Sequence, residues 1–173
     1  MKRFTETFVL RNLIKHLPSI LLLISVLNEF DFNYLSIKYF SFNFPYILIF
    51  YWSLKQSGSL GYGFIFIAGL FNDVVIGLPM GISSLTYLLI CGFAAYLRNI
   101  TLRPSLIKDW FFFLFTILLI NSFNYILMTL FFSLEIDYYD TLFNLIFTFL
   151  FYIIFAYIFD IYQKLMLGKQ NDW

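Results

Sequence analysis

The segment Ala68–Gly81, AGLFNDVVIGLPMG, decides how this chain is read. It holds one aspartate, Asp73, inside an apolar run, with Gly69 and Gly77 four residues to either side and a Gly77-x-Pro79-x-Gly81 turn at its end. At membrane depth an ionisable side chain costs about 2.5–3.5 kcal/mol on insertion scales, so the carboxylate calls for a specific reason. Gly69, Asp73 and Gly77 fall one turn apart on a single helix face, and the two glycines leave room for close backbone approach. This face is expected to be packed.

Outward from that segment, the composition sets the class. The 173 residues are 61% hydrophobic and only 12% charged, where soluble domains carry about 25% charged residues. With a mean hydropathy of +0.83, the chain reads as an all-α integral membrane protein in one domain, residues 1–173. The 25 Phe and 13 Tyr need no ligand-stacking role, because Phe is as acceptable to lipid as Leu and both residues use AT-rich codons. A net charge of +1, with basic residues scattered at segment ends, gives no case for nucleic acid. The single cysteine, Cys91, excludes an intrachain disulfide and any cysteine-rich metal site.

Six apolar spans are expected, at about 17–30, 45–54, 62–77, 82–98, 110–132 and 141–162. Lys2, Arg3, Arg11 and Lys15 precede the first, in the manner of a signal peptide, but no small-x-small cleavage site follows, so the span is expected to be retained. Pro45 opens the second. Gly58, Gly61 and Gly63 mark a loop before the third, and Gly77, Pro79 and Gly81 break the third from the fourth, giving a tight helical hairpin. On the fourth span Ser84, Cys91, Gly92 and Ala95 share a small-residue face, the expected mate of the Gly69–Asp73–Gly77 stripe. Arg98, Arg103 and Lys108 make a basic loop before the fifth span, and Pro104–Asp109 supplies its helix start. Glu135, Asp137 and Asp140 make the turn before the sixth acidic.

Charge then orients the spans. With both termini cytoplasmic, Lys or Arg at 2, 3, 11, 15, 55, 98, 103, 108, 164 and 169 lie inside and only Lys38 lies outside, as the positive-inside rule requires. Asp73 falls in the outer half of the membrane.

Catalytic groups are thin. His16, the only histidine, sits among basic residues at the inner interface, and Asp73 has no second carboxylate on its helix. Asp160 belongs to the opposite, cytoplasmic end of its span. No zinc spacing, phosphate loop or nucleophile elbow occurs, so no catalytic residue, metal or cofactor is assigned and a non-enzymatic protein is expected. Asn72, Asn121, Asn124 and Asn144 are candidates for a polar network, more simply read as glue between helices. Three roles are open for Asp73: a protonated donor, a partner for a basic residue of another chain, or a cap for backbone at the Gly77–Gly81 break. Asp73→Asn is expected to be mild for folding, since it keeps hydrogen bonding. Leu at Gly77 or Gly81 is expected to force the two helices apart.

The middle of the chain resembles the MreD family of bacterial rod-shape-determining membrane proteins. The likeness rests on Pro45, the run Tyr51-Trp52-Ser53-Leu54, the loop glycines Gly58 and Gly61, then Gly69-Leu70-Phe71-Asn72-Asp73 and Gly77-Leu78-Pro79-Met80-Gly81, continuing through Leu85 and Tyr87. It covers about residues 45–98. The family often carries an acidic residue after the proline of the second span; here Tyr46 stands there, so any role of that carboxylate does not carry over. The resemblance implies a non-enzymatic scaffold of the elongation machinery in the bacterial inner membrane. It implies an MreC-like partner and, through it, a RodA-type glycosyltransferase with its transpeptidase, and actin-like MreB on the inner face. It also implies a six-helix fold similar to the substrate-binding subunits of energy-coupling-factor transporters, with Gly69, Asp73, Gly77, Pro79 and Gly81 as motif or partner-binding positions.

That shared fold permits an alternative, a small-molecule-binding subunit of a vitamin-type transporter. Such subunits resemble one another in small-x-x-x-small patterns on the first span. Here that span reads LPSILLLISVLNEF, with Ser19 and Ser25 six apart, so the docking pattern is missing.

Overall fold

The computed structural model describes residues 17–27, 41–56, 60–101, 105–132 and 137–168. Among them there are six helices and no strand: α1 Leu17–Leu27, α2 Phe44–Lys55, α3 Tyr62–Ile76, α4 Ile82–Ile100, α5 Leu106–Phe132 and α6 Tyr138–Gly168. The all-helical expectation holds for these residues. Lys2, Arg3, Arg11, Lys15, His16, Lys38, Gly58, Arg103, Pro104, Glu135 and Lys169, and the end of the first expected span at 28–30, lie outside the described residues.

Two helices are long and apolar enough to cross a membrane. An 18-residue stretch of Leu106–Phe132 has a mean hydropathy of 1.9 and one of Tyr138–Lys164 a mean of 2.3, and only 28% and 22% of those stretches are buried. A core helix of a soluble domain would hide most of such a surface, whereas Phe111, Phe115, Leu118, Leu150, Ile154 and Tyr157 are exposed here. α1 and α3 are apolar but shorter.

Helix ends follow local chemistry, and the last two helices run past their expected limits. α5 begins before Trp110 because the Ser105 carbonyl accepts the Asp109 N–H at 2.9 Å. α6 begins at Tyr138 because Asp137 caps it. One carboxylate oxygen of Asp137 accepts the Tyr139 N–H at 2.9 Å, and its carbonyl accepts both the Thr141 N–H and the Thr141 hydroxyl. Part of the acidic turn is therefore helix-capping chemistry.

The chain groups into two compact units, one of residues 1–30 and 48–100 and the other of 31–47 and 101–173. In the first, α3 packs against α4 and α1 against α3. α2 shows no amphipathic face: every side chain from Phe44 to Leu54 is buried, as suits a helix apolar all round. Its Ser53 hydroxyl donates to Cys91 Sγ on α4 at 3.2 Å, and the Arg98 guanidinium donates to the Ser53 carbonyl at 3.0 Å.

In the second unit α5 packs on α6 through aromatic rings. Trp110 stacks on Phe149 with centroids 4.3 Å apart and planes at 2°, while its indole N–H donates to the Phe149 carbonyl at 2.9 Å. Phe113 stacks on Tyr152 at 4.4 Å, and at the far end the Tyr125 and Tyr138 hydroxyls hydrogen-bond. Residues 41–44 lie on α6, with Phe42 against Phe151 at 4.7 Å and Phe44 edge-on to Phe155 at 4.8 Å. Polar groups fix the register. The Asn43 N–H donates to the Thr148 hydroxyl at 2.8 Å, that hydroxyl donates to the Asn144 carbonyl at 2.6 Å, and the Asn144 amide donates to Ser41 at 3.0 Å.

Thr148→Val keeps the shape but leaves the Asn43 N–H without its acceptor, at a cost of about 1–3 kcal/mol. Thermal melting of the detergent-solubilised protein should show a lowered midpoint for Thr148→Val and a near-normal one for Thr148→Ser.

Candidate functional site: the α3–α4 corner

α3 ends because Gly77 turns left-handed. Its φ of 75° and ψ of 26° place it in the αL region, and its N–H is bonded to the Asp73 carbonyl. The Leu78 N–H reaches the same carbonyl at 2.9 Å, the six-to-one bond of a Schellman termination. Pro79 brings no N–H and cannot continue the helix. Gly81 then takes φ 103°, and α4 starts at the next residue.

The start of α4 leaves backbone N–H groups with no partner within the helix. Asp73 supplies the acceptors from across the corner. Its Oδ2 accepts the Gly81 N–H at 2.7 Å and its Oδ1 accepts the Ser83 N–H at 2.8 Å. The side chain is 0% exposed, and its negative charge faces the positive end of the α4 dipole. One residue thus closes α3 with its carbonyl and opens α4 with its carboxylate. Of the three roles open from sequence, the geometry assigns Asp73 the cap.

Neighbouring polar groups brace the same corner. The Asn72 amide donates to the Ser83 hydroxyl at 2.9 Å, and the Ser84 hydroxyl donates to the Phe66 carbonyl at 2.9 Å. The helices touch at Gly69, where an added Cβ would lie 2.3 Å from Ser84 Cα and 2.5 Å from Ser84 N. No side chain fits there.

Two sequence expectations are corrected by this geometry. Gly77 and Gly81 are not the close-approach glycines, since a Cβ on either would meet nothing within 4 Å. They are required for their positive φ, which an L side chain adopts only under strain. Of the small-residue face of α4, Ser84 is the residue that meets α3 at Gly69 and Phe66. Cys91 is turned to Ser53 of α2, and Gly92 is exposed with open space where its Cβ would stand.

Two of the candidate asparagines make local bonds. Asn72 serves the corner and Asn144 ties α6 to Ser41. Asp109 stands in the first turn of α5, as the helix start read from sequence requires, and is 2% exposed. Sequence reasoning missed Ser83. Its signal was its place just after Gly81, at a helix start whose N–H groups need an acceptor, with a lone buried acid upstream. Chemically, both Asp73 oxygens are engaged by backbone donors, so the carboxylate holds backbone in place. Among the described residues no three His, Cys, Asp or Glu side chains form a group that could hold a metal ion. No family model, curated protein or solved structure matches the chain.

The corner reverses the mild outcome expected for Asp73→Asn. An amide replaces one acceptor oxygen with a donor and sets it against a backbone N–H, a buried mismatch of about 1–3 kcal/mol. Membrane-fraction yield and thermal midpoint should both fall for Asp73→Asn. Gly69→Ala should fall further than Gly77→Ala, because the first pushes α4 away while the second strains only one φ.

Proposed function

We propose that this chain is a multi-pass, non-enzymatic scaffold of the bacterial inner membrane, with six spans and both termini cytoplasmic. In this reading it holds an MreC-like partner and helps organise lateral peptidoglycan synthesis and rod shape. A RodA-type glycosyltransferase, its transpeptidase partner and actin-like MreB are engaged indirectly.

The observation that carries the reading is the α3–α4 corner. The residues of the composite motif act there as one unit: Gly69 at the contact with Ser84, Asp73 at both helix ends, and Gly77 and Gly81 at the two positive-φ positions. Gly69, Asn72, Asp73, Gly77 and Gly81, five residues of the pattern on which the MreD resemblance rests, each have a physical task at this corner. The two long apolar helices and the distribution of Lys and Arg support the membrane topology. Because Asp73 is enclosed, it is a positioning residue in this proposal, and the partner meets surfaces that the corner presents.

The test is co-expression of the tagged chain with the MreC-like protein of its own organism, followed by mild extraction and size-exclusion chromatography. A stable complex is expected, and migration of the chain alone would sink the scaffold reading. In parallel, a fluorescent reporter fused to the C-terminus should mature in the cytoplasm, while alkaline phosphatase at the same position should stay inactive.

A further inference from the structure

The charges on α6 give a scale of depth. Between Asp140 and Asp160 the helix carries no charged residue, and that length rises about 30 Å, which matches a hydrocarbon thickness of about 30 Å. On this scale Thr148 lies about 12 Å from the Asp140 level, close to the middle of the layer. There its hydroxyl accepts the Asn43 N–H at 2.8 Å. Residues 41–43 are not helical, and α2 starts only at Phe44. The chain therefore runs without helical hydrogen bonds at a depth where irregular backbone persists only if it is enclosed by protein or lines water.

This stretch is not enclosed. Ser41 and Asn43 are only half-buried, and the Asn43 carboxamide and the Ser41 backbone N–H and carbonyl meet no partner among the described residues. α6 supplies a polar wall beside them. Asp137, Thr141, Asn144 and Thr148 recur at helical spacing on one face, and the Asn144 amide reaches the Ser41 hydroxyl at 3.0 Å. Past Thr148 the contacts turn aromatic, with Phe42 against Phe151 at 4.7 Å and Phe44 edge-on to Phe155 at 4.8 Å. A polar path thus leads from the exposed Asp137 end of α6 to near the middle of the layer, where rings end it.

We propose that water enters the layer along the Asp137–Thr148 face of α6 and hydrates Ser41 and Asn43 near the midplane. Below Asp140 the lining is made of hydroxyls and carboxamides, neutral groups that both donate and accept, which suits water better than an ion. α2, whose 12 residues rise about 18 Å, accounts for little more than half of a crossing, and the wet segment directly precedes it. This inference rests on the membrane reading above, and its test separates the two.

The full chain carrying Cys91→Ser, which keeps a partner for Ser53, is given one further cysteine in place of Asn43, Ser41, Leu150 or Tyr139. The Asn43 side chain makes no bond among the described residues, so its replacement should leave folding intact, and Ser41 is a second reporter. Leu150 is exposed on α6 about 15 Å from the Asp140 level, and Tyr139 is exposed at the start of α6. Each protein is nitroxide-labelled and placed in phosphatidylcholine nanodiscs, where both faces are open. Spin relaxation is then measured with oxygen, which concentrates in hydrocarbon, and with a nickel chelate, which stays in water. The labels at Asn43 and Ser41 should match Tyr139, with strong nickel and weak oxygen contact, while Leu150 shows the reverse. Weak nickel contact at Asn43 with a lipid-like Leu150 would overturn the hydrated segment alone, whether oxygen contact there is strong, as lipid would give, or weak, as covering protein would give. Strong nickel contact at Leu150 as well would overturn the membrane reading with it.

Discussion

The first unit depends on one carboxylate meeting the start of one helix. Without Asp73, the Gly81 and Ser83 N–H groups at the start of α4 would lose their acceptors. The usual account of a buried acid begins with its desolvation cost. Here that cost is offset locally by two backbone donors at 2.7 and 2.8 Å and by the dipole of α4. The same residue's carbonyl ends α3, so a single position closes one helix and opens the next.

The two units are assembled by different means. α3 and α4 approach through the absence of a side chain at Gly69 and through short polar groups, Asn72, Ser83 and Ser84, which bond across the gap. α5 and α6 are held at the distance of stacked rings, with Trp110 on Phe149 and Phe113 on Tyr152. Small-residue packing requires one register and tolerates little change. Aromatic stacking buries more area per contact and is more forgiving of substitution. The Trp110 indole N–H, donating to the Phe149 carbonyl, adds a directional bond to that stack, while Asn43 to Thr148 and Asn144 to Ser41 fix residues 41–43 on α6.

Much of the fold was legible because apolar runs, glycines and prolines report directly on backbone choices. The break at Gly77–Gly81 and the limits of α2, α3 and α4 followed from residue type within a residue or two. The ends of α5 and α6 did not, because they depend on which nearby carbonyl or carboxylate accepts the first free N–H groups, as Ser105 and Asp137 do. At the corner, sequence named the residues and misassigned two of their tasks. Helical spacing puts Gly69 and Gly77 on one face, but it cannot tell that Gly77 lies one residue past the helix end, where its φ matters and its lack of bulk does not. Likewise, the small face of α4 is real in sequence, yet α2 claims Cys91 through Ser53, and no periodicity in α4 records where a third helix will be.

The buried α2 has a consequence for the order in which the chain is assembled. Its 12 residues rise about 18 Å, too little to cross a bilayer alone. The groups that fix its C-terminal end, Cys91 and Arg98, arrive 38 and 45 residues after Ser53. At a synthesis rate of about 5–20 residues per second, α2 therefore waits roughly 2–9 s for its partners to emerge. During that interval its apolar surface is without the groups that later cover it. The C-terminal end of α2 is thus made well before the α4 groups that hold it.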